Sequence, residues 1–327
     1  MCVLTRACAF IFIINYANII VKHFQQLLTA ISRISRPLPS TRRHKIDLFP
    51  EICYNTPMKI GINGDCVGLT DARKNVKTLV ENGFEATFIM AEDERLDEFC
   101  RTAKEYALTV ETLHGPFLSD GACSINDVWM PGERGEKMLC RMLKSAENCA
   151  KYGIPYLITH LSSGNDAPFV NECGLERFGA LVKRAKELGV VIAFENLRKT
   201  GNFACALEYF PESGFCLDVG HQFCYAGGKQ FLPFFGDRLV TTHIHDNFLT
   251  AGQDLHLIPF DGKIDYRLLA KQLRDLNYDG TLMLEVFRGF GKEVAERPYA
   301  SLSDEQYIAR AAAAAKKLKK LVENPAE

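Results

Sequence analysis

Eight short apolar runs, separated by amphipathic stretches, constrain this chain more than any other feature. They are KIGIN (59–63), ATFIM (86–90), LTVETLH (108–114), YLITHL (156–161), VVIAFENL (190–197), GFCLDVGH (214–221), VTTHIHDN (240–247) and GTLMLEVF (280–287). β-Branched and aromatic residues dominate them, and most are continuous rather than alternating. That suits strands covered on both faces, because a strand with one wet face alternates polar and apolar residues. The segments between them carry helical periodicity. In 172–188, Leu175, Phe178, Leu181, Val182, Ala185 and Leu188 recur every three or four residues, with charges on the other side. Gly83, Gly153, Gly189 and Gly280 stand before or at strand starts, where glycine ends a helix without steric cost. The last helix ends in basic KKLKK, which complements a helix C-terminus.

Eight βα repeats from residue 58 onward predict one domain, 58–327, folded as an α/β protein of the (β/α)8 TIM-barrel type. A doubly wound open sheet is the alternative. No G-x-G-x-x-G follows the first strand, and eight repeats favour closure. Residues 1–57 read differently. Residues 8–21 (CAFIFIINYANIIV) are apolar but short for a membrane span, and ISRISRPLPSTRRHK behind them is basic and Ser-rich. The segment is expected to lie outside the fold, as an overrun of the start at Met58 or as a targeting segment.

Net charge is −1 at pH 7, with 39 Lys/Arg against 40 Asp/Glu, so no overall basic field argues for nucleic acid. Seven of the basic and two of the acidic residues fall in 1–57, which leaves 58–327 net acidic. No membrane association is expected of 58–327. The twelve cysteines are scattered singly without a C-x-x-C pair, which fits reduced thiols in a cytoplasmic protein.

Polar residues concentrate at strand ends, where barrels of this type carry their chemistry. Strand three ends at His114, strand four at His160, strand five at Glu195, and strand six at Asp218 and His221. Strand seven ends at His245, strand eight at Glu285, and the loop after strand seven adds Asp254 and His256. Taken singly, each is most simply a hydrogen-bonded rim residue. Together they would converge on one mouth, where buried carboxylates without cations cost several kcal/mol each. A divalent metal is the simplest remedy, and imidazole with carboxylate suits zinc, manganese, cobalt or iron. In DVGH the aspartate closes the strand and His221 follows one turn later, so the two can reach different metals. In DLH, Asp254 and His256 are two apart on an extended segment and project to one side. His243 shares the orientation of His245 and is assigned a supporting or core position.

These stretches resemble the xylose-isomerase-like barrel superfamily, which joins sugar isomerases and epimerases with the endonuclease IV family of abasic-site nucleases. The resemblance runs from residue 58 to about 323 and rests on HGPF, ITHLSSG, FENL, CLDVGH, HIHDN with DLHLIPFDGKIDY, and LEVF. It implies that Glu195, Asp218, His245 and Glu285 form the metal site common to the superfamily. It also implies that His114, His160, His221, Asp254 and His256 complete the nine-ligand, three-metal set of the nuclease branch. Epimerase members carry H-x-H-x-G-E after strand seven, where this chain has HIHDN and then the D-x-H pair those epimerases lack. Nucleases usually show a threonine-glycine-type turn where this chain has ENL.

The wording of ENL and HIHDN…DLHLIPFDGKID resembles that of proteins described as sugar phosphate isomerases and epimerases. The expected activity is therefore a metal-dependent isomerase or epimerase of a sugar or sugar phosphate, using one to three ions, with zinc or manganese foremost. Glu195 and Glu285 would be its acid/base pair around an enediolate, and His221 would hydrogen-bond a substrate oxygen. Arg198, Lys199 and Arg288 follow two strand ends and are candidates for a substrate phosphate, against solvated loop charges as the alternative. Two further readings stay open: a trinuclear-zinc phosphodiesterase of the endonuclease IV type, and a barrel that only binds sugar or metal. Trp129 falls in the loop after strand three, either as a lid or as a packed anchor.

Overall fold

Each of the eight apolar runs coincides with a strand, β7 starting one residue early, in the computed structural model, which describes residues 58–68, 71–119, 121–289 and 298–324. The extension 1–57 lies outside the described residues. The strands are β1 (Ile60–Asn63), β2 (Ala86–Met90), β3 (Thr109–His114), β4 (Tyr156–Thr159), β5 (Val191–Glu195), β6 (Gly214–Asp218), β7 (Leu239–His243) and β8 (Leu282–Leu284). All pair in parallel, in the order β7-β6-β5-β4-β3-β2-β1-β8. The two outer strands then meet just past β7. Ile244 bridges Leu284, its N–H donating to the Met283 carbonyl at 2.8 Å, and the Glu285 N–H returns to the Ile244 carbonyl at 3.1 Å. The sheet thereby closes as a (β/α)8 TIM barrel, and no open edge is left to satisfy the seam's backbone groups.

The surrounding helices are α1 (Ala72–Glu81), α2 (Leu96–Glu105), α3 (Glu133–Tyr152), α4 (Glu172–Glu187), α5 (Thr200–Tyr209), α6 (Val219–Cys224), α7 (Leu232–Phe235), α8 (Tyr266–Asp275) and α9 (Asp304–Glu323). In α4 the periodic residues Phe178, Leu181, Val182 and Ala185 are buried, and Asn171 caps the start by accepting the Gly174 N–H at 3.0 Å. Gly83, Gly153 and Gly189 hold the left-handed conformation expected behind a helix. Gly280 does not; after α8 that conformation falls to Asn277 (φ 52°), the residue that tolerates it best after glycine. Among the described residues, no helix is long and apolar enough to cross a membrane.

The loop after β3 is packed rather than lid-like. Trp129 ends a 3-10 turn (Ile125–Trp129), is 1% exposed, packs on Phe178 and donates its indole N–H to the Leu161 carbonyl. Gly174 in α4 admits the indole, since a Cβ there would lie 1.8 Å from the ring. The anchor alternative for Trp129 therefore describes its position.

The mouth of the barrel is stitched by asparagines at or just past strand ends. Asn196 donates to the Asp218 carbonyl and accepts the Asp218 N–H, both at 2.8 Å, which locks β5 to β6. Asn63 accepts the Val286 N–H at 3.0 Å, and Asn247 donates to the Gly220 carbonyl at 3.1 Å. These bonds tie together the ends of five strands, β1, β5, β6, β7 and β8, and so aim the side chains that follow.

Candidate metal centre

Glu195, at the end of β5, is the hub of the mouth. Its Oε2 lies 3.0 Å from His160 Nε2 and 3.4 Å from His114 Nε2, while its Oε1 faces His221 Nδ1 at 3.2 Å and His243 Nδ1 at 3.5 Å. All six histidines of the described residues gather here, with Glu195, Asp218, Asp254 and Glu285 among them. The strand-end candidates therefore converge as a set, each delivered by its own strand or loop.

The donor atoms fall into overlapping groups whose members all lie within 4.8 Å of one another. Glu195, Asp218, His243 and Glu285 make an inner group of four, and His221, His245, Asp254 and His256 an outer group of four. His114 and His160 join Glu195 in a group of three, and His114 also groups with His243 and Glu285. Asp218 and His221 fall in different groups, as the D-x-x-H spacing suggested. Asp218 caps α6 by accepting the His221 N–H at 2.5 Å.

His243 is the residue that sequence reasoning underrated. Sequence position gives it a supporting or core role, yet its Nδ1 stands 3.4 Å from Glu285 and 3.5 Å from Glu195, inside the inner group. His245, placed in that group by the resemblance, instead faces Asp218 at 3.1 Å and Asp254 at 3.6 Å and stacks on His256, ring centroids 4.0 Å apart. The reason is the barrel seam. Strand pairing ends at His243, Ile244 turns out to bridge β8, and His245 emerges one step higher, level with the loop. The H-x-H spacing held the signal but could not say which ring sits at which level.

The DLH segment also differs from expectation. His256 has φ 46°, a left-handed conformation, so the two side chains converge through a bend and not through an extended strand. Asp254 Oδ2 still meets His221 Nε2 at 3.0 Å and His256 Nε2 at 3.3 Å. The loop carrying them is gathered by buried Asp246, whose carboxylate accepts N–H groups of Asn247, Phe260 and Ile264 at 2.8, 2.9 and 3.1 Å. The oxygens of Asp246 are thus turned to the backbone and not to the donor cluster.

Burial and opposed charge set the ionisation of the site. Burial alone would raise Glu195, but His160 and His243 hold it well below the usual carboxylate range. Burial keeps Glu285 above that range, against the pull of His243 and His256. Burial draws His160 down to about 4, whereas His256, opposed by burial but faced by Asp254, is pushed up to about 9. The two glutamates are thus driven apart, one toward the charged and one toward the neutral form.

Several buried polar atoms here have no hydrogen-bond partner: Glu195 Oε1, Asp218 Oδ2, Asp254 Oδ1, His221 Nδ1 and both ring nitrogens of His243. Unpaired buried groups of this kind cost on the order of 1–3 kcal/mol each. Divalent cations among them would satisfy oxygen and imidazole donors together, so the residues present fit a metal.

The three basic candidates separate. Arg288 is spent on the Leu302 carbonyl at 2.8 Å and Asp304 at 3.0 Å. Lys199 lies over the Phe169 ring. Arg198 lies over the Tyr225 ring, its guanidinium carbon 3.5 Å from the ring centre, and Tyr225 donates its hydroxyl to Asp254 at 3.2 Å. Arg198 alone of the three therefore adjoins the donor cluster.

Comparison with known proteins agrees with this architecture. The chain is 38% identical over 110 residues to an uncharacterized protein, y4fM, of Sinorhizobium fredii, covering 33% of this chain and 32% of that one. It is 30% identical over 168 residues to a probable endonuclease 4 of Cenarchaeum symbiosum, covering 44% of this chain and 57% of that one. These alignments span about a third and just over half of the relatives' lengths. Among solved structures, the D-psicose 3-epimerase of Clostridium cellulolyticum H10, with D-tagatose, superposes with TM-score 0.65 at 17% identity. That match covers 81% of this chain and 99% of the epimerase, a likeness of fold. The family model described as xylose isomerase-like TIM barrel matches residues 75–318. With β1–β8 closed into a barrel and that match across most of it, the chain belongs to the xylose isomerase-like TIM-barrel family.

Proposed function

We propose that residues 58–327 form a divalent-metal-dependent isomerase or epimerase of a sugar or sugar phosphate, with zinc or manganese as the ion. The observation that carries the reading is the pair Glu195 and Glu285, which approach one imidazole, His243 Nδ1, at 3.5 and 3.4 Å from the ends of β5 and β8. Two carboxylates around one small buried volume, one favouring the charged and one the neutral form, suit removal and return of a proton at carbon. Glu195 would take the proton next to a substrate carbonyl, giving an enediolate, and Glu285 would deliver a proton to the carbon skeleton. His221, buried beside both donor groups, would hydrogen-bond a substrate oxygen. The inner group Glu195, Asp218, His243 and Glu285 would hold the ion, which when bound supplies Lewis-acid polarisation of the carbonyl. His114 and His160 with Glu195 form a further donor group. Arg198 is the remaining candidate for a substrate phosphate. The scattered cysteines support the cytoplasm as its compartment.

The test is incubation of metal-loaded protein with a ketose panel in deuterated water. Metal-dependent deuterium uptake beside the carbonyl is the expected result, and no uptake across the panel would defeat the proposal. A second reading, a phosphodiesterase of the endonuclease 4 kind, is favoured by the Asp254–His256 pair and the likeness to a probable endonuclease 4. Nicking of abasic duplex DNA by metal-loaded protein would select it instead.

A further inference from the structure

We infer that Asp65, in the turn after β1, sets substrate specificity by accepting hydroxyl groups from an uncharged end of the bound sugar. The inference deepens the reading of the mouth as a sugar site and rests on it. Among the described residues, the ends of β1 and β2 supply no member of the donor groups, yet they carry Asp65 and Asp93. Asp65 is tied into the mouth by its neighbours. Its Oδ1 accepts the Asn63 side-chain amide at 2.9 Å, and Asn63 accepts the Val286 N–H at 3.0 Å, one residue past Glu285. The Cys66 carbonyl accepts the Arg288 N–H at 2.9 Å, a second tie to the end of β8. Asp93 and His114 both act on its charge. The carboxylate therefore stands among the ends of β8, β2 and β3, on the side of the mouth that holds Glu285.

What Asp65 offers is acceptor capacity. An ionised carboxylate has roughly four lone-pair sites, and Asn63 is the one side chain of the described residues that donates to it. Burial raises its pKa, against the Asn63 bond and the pull of His114. A sheltered carboxylate short of donors suits a ligand made of hydroxyls, each of which brings one donor. The turn is also preset, with the Cys66 N–H on the Asn63 carbonyl at 3.3 Å and the Gly68 N–H on the Asp65 carbonyl at 2.8 Å. Binding therefore need not order it.

Charge decides which end of the sugar lies there. Arg95 closes on Asp93 with Nε and Nη2 at 3.1 and 3.2 Å, so two carboxylates share one guanidinium. A phosphate beside Asp65 would meet net negative charge. In the closed barrel the strand opposite β1 is β5, and the loop after β5 carries Arg198, whose buried Nε has no hydrogen-bond partner. The mouth is thus acidic at one pole and basic at the other. The hydroxyl end of the substrate belongs at Asp65, and any phosphate belongs at Arg198.

The probe is a hexitol, which has no carbonyl and cannot turn over, titrated calorimetrically into the full chain loaded with zinc or manganese. Wild type should bind it, and Asp65→Ala should bind it about 10–100-fold more weakly with metal content unchanged. The matching 1,6-dideoxyhexitol lacks both terminal hydroxyls. It should bind wild type about 10-fold more weakly than the hexitol, and this penalty should shrink in Asp65→Ala. A purely structural role would leave the penalty as it was. If circular dichroism shows Asp65→Ala misfolded, Asp65→Asn keeps the shape without the charge and should weaken hexitol binding by about 10-fold. No hexitol binding by wild type, equal affinity in the folded variant, an undiminished dideoxy penalty, or loss of metal from the variant would overturn the inference. Hexitol binding without deuterium uptake would sink the isomerase and keep Asp65 in its role. Uptake with unchanged hexitol affinity in Asp65→Ala would do the reverse.

Discussion

His243 lies flat against Phe88, with ring centroids 4.7 Å apart and planes inclined by 18°. Phe88 comes from β2 and His243 from β7, so the stack joins two strands that are not neighbours in the sheet. It holds the imidazole at one rotation and presents Nδ1 to both glutamates. Replacing Phe88, which is 2% exposed, by Ala should cost about 3–5 kcal/mol of stability. It should also weaken metal binding on the order of 10-fold, because a freed ring loses its aim. Denaturant melts and metal titration measure the two effects, and unchanged affinity would show that the stack does not position the ring.

Glu195 and Glu285 should each be needed for proton exchange at carbon. Glu195→Gln and Glu285→Gln are expected to slow deuterium uptake by about 10²–10⁴-fold, the range for a lost general acid or base. Mass spectrometry of the recovered sugar reads the rate. Wild-type uptake in either variant would remove that residue from the acid/base pair.

Metal binding should release protons at neutral pH. His256 has its pKa raised to about 9, so in metal-free protein it is charged at pH 7 and must lose its proton to become a ligand. Affinity should therefore climb as pH rises through about 9, and His221 and His243, also raised well above the ordinary histidine value, add to the climb. His160, drawn down to about 4, is already neutral and contributes nothing near pH 7. In metal-free protein the His256 shift works the other way. Its stabilisation is complete below about 6.5, the ordinary histidine value, and is lost as pH rises through about 9. Calorimetric titration in buffers of different ionisation enthalpy counts the protons, and a pH-independent affinity would contradict the assignment.

Gly220 and Gly201 should respond oppositely to alanine. At Gly220 the added carbon would meet the His245 ring at 1.8 Å, and the substitution should cost about 1–3 kcal/mol. At Gly201, inside α5, nothing lies within 4 Å, and alanine should be neutral or stabilise by up to about 1 kcal/mol. Urea unfolding of the two variants distinguishes them, and equal responses would mean that His245 yields without cost.

Much of the site is legible in the sequence, because a barrel turns strand order into geometry. Once eight apolar runs are read as parallel strands, every residue just past a run must lie on one face. His114, His160, Glu195, Asp218, His221 and Glu285 could then be named from position alone, and all six meet there. Levels within the mouth were not legible. His243 and His245 differ by two residues and share a side of the chain, so no periodicity separates them. Likewise Arg198, Lys199 and Arg288 look alike in sequence, and only their neighbours Tyr225, Phe169 and Asp304 tell them apart.

By itself, then, the sequence determined the number and direction of the strands and the donor chemistry at their ends. Buried parallel strands demand continuous apolar runs, and those runs stop where polar groups can be reached. Tertiary structure alone decided how the donors divide. The bridge from Ile244 to Leu284 ends the strand at His243, drops that ring among Glu195, Asp218 and Glu285, and lifts His245 to Asp254 and His256. That choice depends on where β7 meets β8, a pairing between residues forty positions apart. Local pattern cannot encode it, since register across a barrel seam is fixed only when the whole sheet closes.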